Sequence, residues 1–90
     1  MKYQNHEKER NSFQPSFPLA MAGEGETVRI VSIRRGRKIQ ERLLSMGIQV
    51  DDVIEVVQCQ NKGAVLISKE NNRYALGGGM ALKINVIKEK

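Results

Sequence analysis

Ninety residues, of which 40% are hydrophobic, with eight glycines and two prolines, fit one small globular domain with a short tail and leave no room for a second core. The four aromatics, Tyr3, Phe13, Phe17 and Tyr74, are too few to build that core, so it must come from the Val, Ile, Leu and Met between residues 28 and 87. A net charge of +5 makes nucleic acid, an anionic membrane surface or an acidic protein the partners to weigh. One cysteine, Cys59, excludes a disulfide framework and a multi-thiolate metal site and fits a reducing cytoplasm.

In chain order, residues 1–16 are polar, carry mixed charge and show almost no apolar periodicity, which predicts a mobile tail ahead of a domain over 17–90. The segment lacks the apolar run of a signal peptide, and no stretch of the chain approaches the ~20 apolar residues of a membrane span. Phe17, Leu19 and Met21 are expected to anchor the start of the domain, with a turn at Gly23 and Gly25. TVRIVSI, residues 27–33, is rich in β-branched residues and reads as the first strand.

After the loop Arg34-Arg35-Gly36 the spacing changes. Ile39, Leu43 and Met46 fall at helical intervals, Leu44 flanks them, and Lys38 and Arg42 turn outward, which predicts two to three helical turns. Gly47 stands where a left-handed cap ends such a helix, and Ile48 is then placed to fold back on its last turn. Val50-Asp51-Asp52 makes a corner, and VIEVVQC, residues 53–59, resumes strand chemistry.

Asn61-Lys62-Gly63 and Asn71-Asn72 are hairpin signals that join this strand to AVLIS (64–68) and then to RYAL (73–76) as a meander. Gly77 to Gly79 supply a corner with room for backbone, followed by one turn at 80–82 and a last strand at 83–87. The expected fold is mostly β: a small barrel of about five strands with a short helix between the first two, closure of the sheet removing its edges.

For function the sequence first excludes. The single histidine, His6, sits in the tail, so no nucleophile, base and orienting group can be assembled, and an enzyme is not expected. One His and one Cys make no resident metal site. Asp51, Asp52 and Glu55 form an acidic corner that would hold a hard cation weakly at best and reads better as turn formers and a solvated strand face, and Cys59 reads as a small apolar filler. Gly77 to Gly79 lack the Lys and Ser/Thr of a phosphate loop. The basic cluster Arg29, Arg34, Arg35, Arg37, Lys38 and Arg42, opposed only by Glu41, is the informative polar feature: a docking surface or a solvated face, although a nucleic-acid reader of this size would also show stacking aromatics.

The order FPLAMAGEGETVRIVSI, IQERLLSMGI, DDVIEVV, GAVLI and RYALGGGMALKINV resembles the FeoA family, small cytoplasmic accessory proteins of bacterial ferrous-iron transport. The resemblance runs from about Phe17 to Ile87. It is carried most by Arg42-Leu43 with Met46-Gly47-Ile48, and by Ala75-Leu76 followed at family spacing by Ala81, Ile84 and Val86. Where the family commonly has Pro-Gly after the Met-Gly-Ile element, this chain has Val50-Asp51. The resemblance implies a Src-homology-3-like small β-barrel and a cytoplasmic protein recruited to the inner face of the membrane by docking on the cytosolic G domain of a FeoB-type transporter. On that reading Arg35, Arg37, Lys38, Arg42, Leu43 and Met46 are the docking candidates. No resident cofactor or metal is expected, while transient contact with Fe(II) through ligands shared between subunits stays open. So do two alternatives: a nucleic-acid-binding barrel, and a module associated with an iron-dependent transcription regulator.

Overall fold

The computed structural model describes residues 15–89. The tail expected over 1–16 falls almost entirely outside that range, as does His6. The first strand is a two-residue piece, β1 (Phe17–Pro18), and it ends in a 3-10 turn, Leu19–Met21, that drops Leu19 into the core while Met21 stays exposed. Pro18 has no N–H to give a neighbour, which suits a strand on the sheet edge.

The long strands are β2 (Thr27–Ile33), β3 (Val53–Cys59), β4 (Val65–Lys69), β5 (Asn72–Leu76) and β6 (Ile84–Lys88). Every neighbouring pair is antiparallel, in the order β1-β6-β2-β3-β4-β5. Alternation puts Val28 and Ile30, Ile54 and Val56, Val65 and Ile67, and Ile84 and Val86 on one face, and these pairs are fully buried. Register shifts between Ile30 and Ser32 on β2 and between Val56 and Gln58 on β3 mark bulges, which bend the sheet around that aliphatic interior. Among the described residues no polar or charged side chain is buried.

The barrel expectation is recovered with two amendments: the sheet has six strands, and its end strands β1 and β5 do not pair, so it is not closed. The cause is local, because β1 runs for only two residues before the 3-10 turn takes the chain into the core. The β4–β5 turn is also displaced by one residue from its expected place. Lys69 pairs with Asn72, and the two loop residues are Glu70 and Asn71, at φ 52° and 71°, as a two-residue hairpin twisted to match its strands requires.

The helix α1 (Arg37–Ser45) sits between β2 and β3 and buries Ile39 and Leu43. The short helix α2 (Gly78–Ala81) packs against the β3–β4 loop, so closely that a Cβ on Gly78 would lie 2.0 Å from the carbonyl oxygen of Lys62. The need for backbone room at the triple glycine is therefore met at Gly78 in particular.

Candidate functional site

The segment from Arg34 to Asp52 leaves the sheet, makes α1 and returns, and its end is tightly specified. Ile48 N–H donates to the Leu43 carbonyl at 2.9 Å and Gly47 N–H to the Leu44 carbonyl at 2.9 Å, with Gly47 at φ 74°. These two bonds with a left-handed glycine satisfy carbonyls the helix would otherwise leave open, and they lay Ile48 on Leu43, both buried. Asp51 adopts φ 79°, and its neighbour Asp52 closes the corner by accepting from Gln49 N–H at 2.8 Å through Oδ2. Asp51 N–H to Ile30 O at 2.8 Å and Ile30 N–H to Asp52 O at 2.9 Å then carry the β2–β3 ladder into the corner.

Lys69, at the end of β4, holds this corner from the other side. Its Nζ lies 2.9 Å from Asp52 Oδ2 and also donates to the Gly47 carbonyl, with side-chain exposures of 15% for Lys69 and 19% for Asp52. The hydrogen bond it donates to Asp52 raises the pKa of the Lys69 ammonium above its ordinary value, against a smaller opposing effect of burial. One cation thus ties together the helix cap, the corner and the β4–β5 hairpin.

Between α1 and the corner lies an open groove of about 420 Å³, lined by Ile33, Gln40, Leu43, Leu44, Ile48, Gln49 and Val50. Leu44 is 70% exposed and Val50 45%, two large apolar side chains left in water side by side with the groove. Arg34, Arg35, Arg37, Lys38 and Arg42 are all exposed, and among the described residues none of them forms an ion pair. Ion pairs between described residues lie elsewhere: Arg29–Glu89 at 2.7 Å, Lys69–Asp52 at 2.9 Å and Lys88–Glu26 at 3.2 Å.

Helical phase divides these cations. With about 3.6 residues per turn, Arg37 shares the face of Gln40 and Leu44, whereas Lys38 and Arg42 form an i, i+4 pair on the opposite flank. The docking candidates therefore fall into two sets rather than one cluster. Leu43, 1% exposed, belongs to the core and reaches the surface only as part of the groove lining; Met46 is half-buried and packs against the same core. Arg29 leaves the basic cluster altogether, since its guanidinium is engaged twice by Glu89, Nε to Oε1 at 3.0 Å and Nη2 to Oε2 at 2.7 Å. That pairing raises the Arg29 pKa and lowers that of Glu89.

One smaller expectation changes and another gains a detail. Cys59 is exposed rather than a filler: it pairs with buried Val65 and so lies on the inner face, but at the open end of β3, where its thiol donates to the Ala22 carbonyl at 3.2 Å. At the acidic corner the Asp52 carboxylate is occupied by the Lys69 ammonium, and Asp51 and Glu55 are exposed. Among the described residues no three His, Cys, Asp or Glu side chains gather as a metal site, and no helix is long and apolar enough to cross a membrane. Sequence reasoning missed Lys69 and Val50. A lysine closing a hairpin carries no local signal, while Val50, apolar beside two turn-forming aspartates, was a visible oddity.

A family model, the FeoA domain, matches residues 17–88. A protein of Methanocaldococcus jannaschii named as an Fe(2+) transport protein A is 43% identical over 70 residues, 78% of this chain and 84% of that one. The crystal structure of an iron uptake regulatory protein (FeoA) superposes with a TM-score of 0.73 at 29% identity, covering 83% of this chain and 99% of the other. A manganese-dependent transcriptional repressor superposes with a TM-score of 0.78 over 84% of this chain, but at 20% identity and over only 43% of its own length, so it shares the fold alone. The helix-inserted small β-barrel, of the Src-homology-3-like kind, is what this chain has in common with both structures. With the model spanning nearly every described residue and the archaeal relative sharing more than two-fifths of its aligned positions, the chain belongs to the FeoA family.

Proposed function

We propose that this protein is a cytoplasmic accessory protein of ferrous-iron uptake that docks on the cytosolic G-protein region of a FeoB-type membrane transporter and is held by it at the inner face of the membrane. Family membership and the name of the archaeal relative supply the iron-transport context. The observation that carries the docking reading is the segment from Arg34 to Arg42, where five exposed cations have no ion-pair partners among the described residues, on a helix whose one flank also lines an apolar groove. Like charges held close without partners repel, and apolar side chains left in water gain nothing for the fold, so both are features that a bound partner relieves. The protein has no reaction of its own in this reading: it acts by binding, and an arginine from this segment is the group with which it would influence charge developing during nucleotide hydrolysis by the partner.

The test is calorimetric titration of the full chain with the cytosolic region of the transporter from the same organism, loaded with GDP or with a GTP analogue, and with duplex RNA as control. Saturable binding that Arg42→Glu weakens supports docking through the Lys38 and Arg42 flank. Absence of binding in both nucleotide states, with salt-sensitive RNA binding instead, overturns the reading in favour of a nucleic-acid partner.

A further inference from the structure

We propose that the groove between α1 and the corner receives one large apolar side chain from an acidic polypeptide segment, with Arg34, Arg35 and Arg37 meeting its carboxylates. This rests on the docking reading above only in taking the partner to be a protein; it names the part of the partner that binds and the part of this chain that receives it. Concavity is the first argument. The floor is made by buried Leu43 and Ile48, and the walls by Ile33, Leu44 and Val50, so the shape accepts a side chain rather than offering a wedge to a lipid surface.

Hydrogen-bonding capacity is the second. Gln40 and Gln49 are exposed on the groove lining and each carries an amide donor and acceptor, which matches the paired N–H and C=O of a peptide backbone. Charge is the third. Arg34 and Arg35 follow Ile33 directly and Arg37 shares the helix face of Leu44, against Glu41 on the helix and Asp51 after Val50, so the exposed residues next to the lining carry positive charge on balance. A second hollow, lined by Phe17, Met21, Gly23, Glu26 and Lys88, makes the contrast: its Glu26 and Lys88 pair with each other, and it has no charge preference to offer a ligand.

The experiment selects short random peptides, displayed on phage, for binding to the full chain, and then measures the enriched peptides against Leu44→Gln and Arg37→Glu variants checked for folding by circular dichroism. Expected are peptides rich in Asp and Glu around one large apolar residue, bound at least about tenfold more weakly by each variant and weakened by salt. Enrichment without acidic bias, binding indifferent to Leu44→Gln, or no enrichment while vesicles containing phosphatidylserine bind, each overturns the proposal. The two readings fail separately. Transporter binding that ignores Leu44→Gln removes the groove and leaves docking, whereas acidic peptides that bind beside a transporter region that does not leave the groove and remove that partner.

Discussion

Leu43 and Leu44 are neighbours of the same residue type on the same helix, and they meet opposite fates: one is 1% exposed in the core and the other 70% exposed above the groove. The same division runs through the charges. Around the sheet, Arg29, Lys69 and Lys88 each have a carboxylate partner, while the five cations from Arg34 to Arg42 have none among the described residues. Where apolar groups are packed and charges paired, the residues account for themselves by stability. The outer side of the inserted helix satisfies neither condition, which is why a functional surface is sought there rather than on the sheet.

The sharpest way to break this comparison is to truncate both leucines. Leu43→Ala removes a side chain packed against Ile39 and Ile48 and should cost about 2–5 kcal/mol, whereas Leu44→Ala should stay within about 0.5 kcal/mol. Urea titrations of both variants decide it. A Leu44 variant as destabilised as the Leu43 one would mean that the groove is filled in solution by this chain itself.

A middle-sized effect belongs to Lys69. Replacing it with Met keeps much of the stem but removes the ammonium that joins Asp52 to the Gly47 carbonyl, and should cost about 1 kcal/mol. Because its pKa is raised in the folded protein, the stabilisation is complete below the ordinary lysine value of 10.5 and is lost as pH rises through the raised one. The wild type should therefore lose stability in alkali that the Lys69→Met variant does not lose at this site. Faster amide exchange at Ile48 and Gln49 in the variant would place the loss at the groove wall, and unchanged exchange there would show that the corner holds its shape without the lysine.

What the sequence made legible follows from local chemistry. Helical spacing identified Ile39 and Leu43 as inward, Gly47 marked the cap, and Val50-Asp51-Asp52 marked the corner in which Asp51 takes its positive φ. β-branched runs bounded by turn signals located the five long strands to within a residue. What stayed hidden is non-local or depends on a break in phase. The Lys69–Asp52 pair joins two turns that meet only once the sheet has formed, and the bulge after Val56 resets the alternation that would have assigned Cys59 its side. The basic run read as one cluster because charge was counted along the chain, although the spacing that put Lys38 and Arg42 outward together already placed Arg37 on a different face.

The smallest effect tests the paired charges themselves. Glu89 is held below its ordinary carboxylate value chiefly by the hydrogen bond from Arg29, and Glu26 chiefly by the Gly23 N–H, with Lys88 second. A depressed folded value means that the contribution is present above the unfolded value of about 4.5 and disappears as pH falls through the folded one. Both groups sit at the surface, where solvent screens such pairs, so the result is a shallow acid limb in a plot of Tm against pH. Glu89→Gln should flatten part of that limb, because the glutamine cannot be titrated, and leave Tm near pH 7 slightly lowered. Arg42→Glu places a carboxylate four residues after unpaired Lys38 but also removes the cation from the last turn of α1, where the helix dipole favours one, so the two effects oppose and Tm at neutral pH should change little. If Arg42→Glu instead cost clearly more than the about 1 kcal/mol that a helix end accounts for, the cations of α1 would already be compensated in the free protein, and the contrast between the two sides of the molecule would be lost.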